Sequence, residues 1–433
     1  MEILSLGEKI KRKRKQLDMT LKDLAKDRIT PGQISLVESG RSNPSMDLLE
    51  YLAQSLDITV EYLMESEESQ AEKICMYYEQ IAESYVLEKS FIQADKYIEN
   101  ALYYAEMYNL EYKKAKILYL RADIHKKKGE LALAQQYFLS ANVIFIKNNK
   151  FKEIVRTFLN LGIITLDLEA YHSATSYLKQ AEKVYMDNNL GDDYLLGKIY
   201  FYLAKGYYEV NKVGRAMDYS FLAKEKFEQI NDKENYAKTL LTLSEEYNKS
   251  GDLTKAIEYS KRSLKIYREL NDFKTISNIE NDLGEFFYSF ENIEESFKHY
   301  HLAKEMKMKN NDDSVIYTLI NICKNYLKLK NIESCKEVLD EIYEMLRDEQ
   351  KEEYIECNLV KFRMHIIEEK LNEAENVLMT TYRYAYSNDL FQKAGELAIT
   401  LGKFYIDNKN DEDAAKYLDT GVNIFREIGI LKN

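Results

Sequence analysis

The sequence is poor in residues that interrupt helices and lacks any segment that could cross a membrane. Only two prolines and 15 glycines occur in 433 residues, so we predict helices joined by short polar turns rather than a sheet-rich fold. No run of about 18 or more apolar residues is present, and no apolar segment follows the basic start. We therefore expect no membrane association and a cytoplasmic location.

Residue patterns that carry catalysis or bind metals are also missing. The four cysteines contain no Cys-x-x-Cys pair, and the five histidines form no cluster with them, so the usual zinc spacings are excluded. Neither a glycine-rich phosphate loop nor a nucleophile elbow occurs. Carboxylates are abundant, but on helices they are usually solvated. We expect no metal, no cofactor and no enzyme activity.

Charge is distributed unevenly along the chain. The whole protein carries −12, yet residues 1–41 hold ten lysines and arginines against six acidic residues, a net charge of +4. The remainder therefore carries −16. The amino-terminal segment can approach phosphate groups, whereas the rest of the chain would be repelled by them.

Residues 1–65 predict five short helices. Leu6, Ile10 and Leu17 share one face of the first helix. Thr20 and Thr30 stand where helix N-caps are expected, Thr20 with Asp23 three residues on as a capping-box variant and Thr30 with a proline at the first helical position. Two helices joined by a tight turn within such a unit are typical of DNA-reading modules.

The segments MTLKDLA and TPGQISLVESGRSNPSMDLLEYLAQSLDI resemble the XRE, or phage-repressor, type of helix-turn-helix over residues 4–64. The resemblance implies that the third helix reads DNA and that Arg14 pairs with Glu38 in a structural bridge between helices one and three. A degenerate module that contacts only proteins is the alternative.

The outer face of the third helix follows from its inner face. With Ile34 and Val37 buried, Gly32, Gln33 and Leu36 point outward. Gln33 is the predicted base reader, because its amide can make a bidentate contact to adenine. Gly32 allows close approach and Leu36 an apolar contact. Contacts to phosphates are expected from the flanking residues Thr20, Lys22, Arg41 and Asn43.

The rest of the chain repeats itself. Residues 66–70 form an acidic, helix-compatible hinge, and residues 71–433 show three linked series of small residues with a spacing of about 40. This pattern resembles the tetratricopeptide repeat (TPR), with a slightly longer period. We predict an all-α fold in which about nine helix pairs form a right-handed superhelix after the helix-turn-helix. Repeats seven and eight depart most from the pattern, with Ile342, Phe362 and Thr381 at small positions.

The first helix of each TPR lines the inner wall of the superhelix. Asn160 and Asn321 occupy the same inward repeat position, and Asn281 lies one position earlier. An asparagine amide can donate to and accept from a peptide backbone at once, although any single asparagine could equally be an exposed or turn residue. The predicted peptide-binding residues are Asn160, Asn321, Asn281, Asn278, Arg156, Tyr202, Lys198 and Lys205.

The combination of an XRE-type domain with TPR repeats resembles the RRNPP family of peptide-pheromone receptors. The resemblance implies a transcription factor whose groove binds a short signalling peptide in quorum sensing, with inner-helix asparagines on the peptide backbone. Its partners would be double-stranded DNA, in a palindromic operator, and a second copy of the chain as a homodimer. The alternative is an array that binds a protein partner such as a response regulator, as the related Rap-type proteins do, alone or in addition to DNA regulation. A scaffold linked to an enzyme is the weaker rival.

Overall fold

The computed structural model describes residues 2–431, which contain 23 α-helices and no β-strand. The predicted fold class is confirmed: a helix-turn-helix module is followed by TPR-like helix pairs. Two compact units are present, one reaching to Lys226 and the other beginning at Phe227. The module and the first helix pairs belong to the same unit.

Five short helices form the amino-terminal module. Each of the first three begins at a side chain that accepts from the helix's own N3 backbone N–H: Ser5, Thr20 and Thr30. In all three the N3 side chain returns a bond to the cap, so the capping box predicted at Thr20 is present, with Asp23 as its partner. The helices are α1 (Leu6–Gln16), α2 (Leu21–Ala25), α3 (Pro31–Glu38), α4 (Met46–Ser55) and α5 (Val60–Met64).

The core of this module is apolar and small. Ile10, Leu24, Ile34 and Leu52 are all 1 % exposed or less. Gly7 marks the point where α1 meets the end of α3, since a Cβ placed there would lie 2.5 Å from the carbonyl oxygens of residues 37 and 38. Because those oxygens are backbone atoms and cannot turn aside, only glycine permits this approach.

Eighteen longer helices follow as nine consecutive pairs, in agreement with the predicted repeat number. The first eight are α6 (Glu67–Leu87), α7 (Phe91–Met107), α8 (Glu111–Lys127), α9 (Leu131–Lys147), α10 (Phe151–Asp167), α11 (Tyr171–Asp187), α12 (Asp193–Glu209) and α13 (Val213–Gln229). They continue with α14 (Lys233–Lys249), α15 (Leu253–Leu270), α16 (Phe273–Ser289), α17 (Ile293–Lys309), α18 (Val315–Lys328), α19 (Ile332–Met345), α20 (Lys351–Ile367), α21 (Leu371–Ser387), α22 (Phe391–Asp407) and α23 (Asp411–Glu427).

The turns between repeats depend on asparagine. Six of them contain an asparagine with positive φ, and a seventh contains an aspartate. Asparagine adopts this left-handed conformation more readily than other side-chain-bearing residues, so it ends one pair and redirects the chain into the next. These residues are Asn109, Asn149, Asn189, Asn231, Asn271, Asn311 and Asp389.

The small residues bring the two helices of a pair together. A Cβ on Gly162 would lie 2.5 Å from the side chain of Leu178, and one on Gly284 would lie 2.5 Å from the ring of Tyr300. Leu178 and Tyr300 are buried at equivalent points of α11 and α17. A small residue on the first helix therefore accommodates a large one on the second.

The segment predicted as a hinge is the start of a helix. Ser66 is the N-cap of α6 and accepts from the backbone N–H of Ser69, and Glu67 to Gln70 form its first turn. The predicted domain boundaries, 1–65 and 71–433, remain a prediction.

Two polar side chains, Lys9 and Gln70, join the amino-terminal segment to the chain around Ser66. The Lys9 side chain is 1 % exposed, and its Nζ donates to the carbonyl oxygens of Tyr62 at 2.8 Å and Glu65 at 2.6 Å. The Gln70 amide accepts from the Leu4 N–H at 3.1 Å and donates to the Leu4 carbonyl at 2.9 Å. The junction between the amino-terminal module and α6 is therefore held by hydrogen bonds both before Ser66, at Tyr62 and Glu65, and after it, at Gln70.

Candidate functional sites

The outer face of α3 is open, as the sequence analysis expected. Ile34 and Val37 are buried, whereas Gly32, Gln33 and Leu36 are exposed. The Leu36 side chain is 45 % exposed although it is apolar. A face of this composition can approach base edges in a major groove and contact a thymine methyl group.

Gln33 has a second role that the sequence analysis missed. Its Oε1 accepts a hydrogen bond from the Thr30 backbone N–H at 3.0 Å, which completes the capping box of α3. The Nε2 group of Gln33 has no partner among the described residues. A bidentate contact to adenine would therefore need the side chain to release Thr30, whereas a single donated bond would not. The capping-box spacing in the sequence could have revealed this role.

The four flanking residues differ in whether their side chains already make hydrogen bonds or ion pairs. Lys22, Arg41 and Asn43 are exposed, and their side chains make no hydrogen bond or ion pair to any described residue. Thr20 is exposed but occupied, because its hydroxyl donates to Asp23 at 2.6 Å and caps α2. Three of the four predicted phosphate contacts are thus unengaged in the structure.

Arg14 and Glu38 lie between α1 and α3, in the interior of the module. Two hydrogen bonds join them, Nε to Oε1 at 2.6 Å and Nη2 to Oε2 at 3.0 Å. The remaining guanidinium nitrogen donates to the Met19 carbonyl at 2.7 Å. The two side chains are 12 % and 7 % exposed. Hydrogen bonding to Glu38 raises the pKa of Arg14, so the guanidinium stays charged.

The predicted peptide-binding residues divide between the two units, five in the first and three in the second. In the first unit, Asn160 on α10 is already fully engaged. Its Oδ1 accepts from Lys126 at 2.9 Å, and its Nδ2 donates to the Tyr119 hydroxyl at 2.7 Å and to the Arg156 carbonyl at 3.1 Å. Burial lowers the pKa of Lys126 and raises the pKa of Tyr119 to about 12. A peptide would have to replace some of these bonds.

The other predicted peptide-binding residues of the first unit are three cations and one tyrosine. Arg156 is exposed on α10. On α12, Lys198 lies over the ring of Tyr194 at 5.0 Å and Lys205 lies over Phe201 at 5.1 Å. Tyr202 lies between them in sequence and is half-buried. Contacts of this kind restrain the long lysine side chains without neutralising their charge.

In the second unit, Asn278 is exposed, whereas Asn281 and Asn321 are half-buried. Asn281 accepts from the Thr318 hydroxyl at 3.0 Å, and Asn321 accepts from Lys324 at 3.2 Å. Thr318 and Asn321 are one turn apart on α18, so the side-chain amides of Asn281 and Asn321 lie beside the same part of that helix. The Nδ2 group of Asn321 donates to no described residue and is available to a ligand.

Asp282 follows Asn281 on α16 and has two carboxylates near it. Although Asp282 is exposed at the surface, desolvation by the protein around it, with the neighbouring carboxylates of Glu245 and Glu285, raises the pKa of Asp282 to about 6. The group therefore carries only part of its charge below neutrality. A cation bound beside it would favour the ionised form.

A cavity of about 640 Å³ lies beyond Asn321 in the second unit, and the sequence analysis missed it. It is formed mainly by α18, α20 and α22. Phe362 and Phe404, whose rings meet edge to face with centroids 5.9 Å apart, are part of its apolar lining. The signal in the sequence was Phe362 itself, which replaces the small residue of its repeat.

The described residues contain neither a metal-binding cluster nor a membrane-spanning helix. Within residues 2–431, no group of three or more histidine, cysteine or acidic side chains is arranged to hold a metal ion. Across the same range, no helix has both the length and the apolar character needed to span a membrane.

Comparison with known proteins agrees with the two-part architecture. A helix-turn-helix family model matches residues 10–63, and no curated protein matches the sequence. The fold is similar to the apo form of the quorum sensor NprR from B. thuringiensis, with a TM-score of 0.58 and 13 % identity over 83 % of this chain and all of that one.

Two further solved structures share the fold. The apo form of RapI gives a TM-score of 0.51 at 15 % identity, over 64 % of this chain and 99 % of RapI. A STAND-type signal transduction ATPase with a TPR sensor, from Pyrococcus horikoshii, also gives 0.51 at 15 % identity, over 99 % of this chain and 74 % of that one. At these identities the likeness concerns the fold alone, and at that level it confirms the resemblance noted from the sequence.

Proposed function

We propose that this chain is a DNA-binding transcriptional regulator whose repeats bind a short signalling peptide, and that the peptide alters its affinity for DNA. The observation that carries the DNA half is the open α3 face flanked by the unengaged side chains of Lys22, Arg41 and Asn43. The peptide half is supported by asparagine amides on the first helices of repeats in both units. The Nδ2 group of Asn321 is a free donor among them.

The proposed mechanism is thermodynamic linkage. A homodimer presents two α3 helices to two half-sites about one helical turn apart. A peptide that binds one arrangement of the repeats more tightly than another shifts the dimer between competent and incompetent forms by that difference in affinity. The junction supports such coupling, because Lys9 on α1 bonds to the backbone just before α6, and Gln70 on α6 bonds to the backbone of Leu4 just before α1.

The DNA half is tested by two substitutions with different expected signatures. Gln33→Ala should reduce discrimination at one base position by roughly 5- to 150-fold, since one bidentate contact, made when the Gln33 amide releases Thr30, contributes about 1–3 kcal/mol. Lys22→Ala should weaken binding to all sequences alike and reduce the salt dependence by about one phosphate contact. Selection from a random DNA library, followed by binding at several salt concentrations, measures both. An unchanged base preference in Gln33→Ala would show that another residue reads the base.

The peptide half is tested by calorimetry with short peptides encoded just downstream of the gene. We expect sub-millimolar binding by the full chain, and about tenfold weaker binding by Asn321→Ala, because one hydrogen bond contributes about 1 kcal/mol or slightly more. Asn160→Ala should weaken binding too, but it also removes contacts to Tyr119 and Lys126. The control is Asn423→Ala, which changes an exposed asparagine on α23.

The same measurements distinguish peptide binding from the alternative function, in which the repeats bind a protein partner. If no peptide binds and a response regulator binds tightly, the repeats serve a protein partner instead. The similarity of the fold to RapI is compatible with either outcome, since it covers only the fold.

A further inference from the structure

The cavity between α18, α20 and α22 combines an apolar lining with an excess of positive charge. Leu327, Phe362, Ile366 and Phe404 contribute apolar surface. Four cationic side chains also line it, against the single carboxylate of Asp407: Lys324, Lys328, Arg363 and Lys403. Its volume of about 640 Å³ lies within the usual range for ligand pockets.

Two of the four cations lack a partner. Lys324 donates to Asn321, and Lys328 lies 3.8 Å from Glu291 and over the ring of Tyr288. Arg363 and Lys403, in contrast, are exposed and form no ion pair or hydrogen bond with any described residue. In a protein with a net charge of −12, two unpaired cations at the rim of one apolar cavity indicate a ligand that is negatively charged.

The cavity adjoins a smaller one that contains Asn321. A smaller cavity of about 250 Å³ beside it is lined by Asn321, Glu352 and Glu356, and Lys324 belongs to both. For a peptide whose backbone is held by the Asn321 amide, the larger cavity is the neighbouring subsite. The smaller cavity is lined by the carboxylates of Glu352 and Glu356, whereas the larger one has an excess of cations.

We infer that this cavity binds an apolar residue of the peptide ligand together with a carboxylate next to it, held by Arg363 and Lys403. The carboxylate is supplied either by the ligand's carboxyl terminus or by an aspartate or glutamate side chain. Arginine suits the task because its planar guanidinium forms two parallel hydrogen bonds to a carboxylate. The inference rests on the proposed peptide function and adds the chemistry and direction of the ligand.

The test uses three pools of apolar-rich hexapeptides without basic residues, each incubated with the full-length protein. The first pool has free carboxyl termini and no acidic residue, the second is amidated with no acidic residue, and the third is amidated with one aspartate or glutamate. Retained peptides are separated from free peptides by size exclusion and quantified by mass spectrometry. We expect the first or the third pool to be retained at least tenfold more than the second, and the pool that is retained identifies the source of the carboxylate.

A double variant, Arg363→Met with Lys403→Met, should lose this excess while still retaining peptides weakly. Both side chains are exposed and unpaired, so the fold should tolerate their loss. The control is Arg383→Met, which removes an exposed arginine on α21 that does not line the cavity. Equal retention of all three pools, or an undiminished excess in the double variant, would overturn the inference while leaving the peptide function intact. Failure to retain any pool would contradict the peptide function itself.

Discussion

Replacing Glu38 by alanine is expected to lower the local stability of the helix-turn-helix module by about 3 kcal/mol. The substitution leaves the Arg14 guanidinium 12 % exposed with only the Met19 carbonyl as a partner. A buried charge without its counter-charge costs far more than the loss of a surface pair, and here it lies between α1 and the helix that reads DNA. Hydrogen exchange of the full chain should become roughly a hundredfold faster in α1 and α3, since about 1.4 kcal/mol corresponds to a factor of ten.

The module contains a matched control for this result. Arg12 and Glu2 also form an ion pair at 2.6 Å, but their side chains are 50 % and 74 % exposed. Glu2→Ala should change exchange little, because exposed pairs contribute between 0 and about 1 kcal/mol. Similar effects of the two substitutions would mean that burial does not determine the strength of the Arg14–Glu38 pair.

Lys9→Met should have the second large effect, at the junction between the module and the repeats. Methionine keeps most of the buried side-chain volume but removes the donor to the carbonyl oxygens of Tyr62 and Glu65. Hydrogen bonds from charged groups contribute about 1.5–3 kcal/mol each, so we expect the junction to lose about 3 kcal/mol of local stability. Exchange should rise in α5 and in the first turn of α6, and a peptide's effect on DNA affinity should shrink.

Lys73→Met provides the comparison at the same junction. Lys73 contacts the Glu65 carboxylate at 2.7 Å, but its side chain is 73 % exposed. Its removal should leave exchange near wild type. If Lys9→Met also left both exchange and the peptide response unchanged, the buried lysine would not be what couples the module to α6.

Much of the amino-terminal module could be predicted because its signals are local. The caps at Thr20 and Thr30 and the proline at the start of α3 each act within one turn of helix. The alternation of buried and exposed residues in α3 also follows from its sequence, as Ile34 and Leu36 show. The double use of Gln33 was missed because one side chain satisfied two patterns, a capping box and a base reader.

The repeats were predictable for a different reason. Their small residues recur about every 40 positions, and each is needed where two helices touch, as at Gly162 and Gly284. Phe362 breaks this rule. The sequence indicated that the packing must differ there, but it did not indicate that a cavity with Arg363 and Lys403 at its rim would result.

The sequence by itself determined the helices, their order and the faces they bury, because these depend on contacts within a turn and on a period visible along the chain. Only the tertiary structure decided which polar groups meet. Lys9 reaches a carbonyl 53 residues away, and Lys126 reaches an asparagine 34 residues away. Such pairs depend on how neighbouring helices pack against each other, and no local pattern records that arrangement. The hinge predicted at residues 66–70 is a helix start held by Gln70 for the same reason.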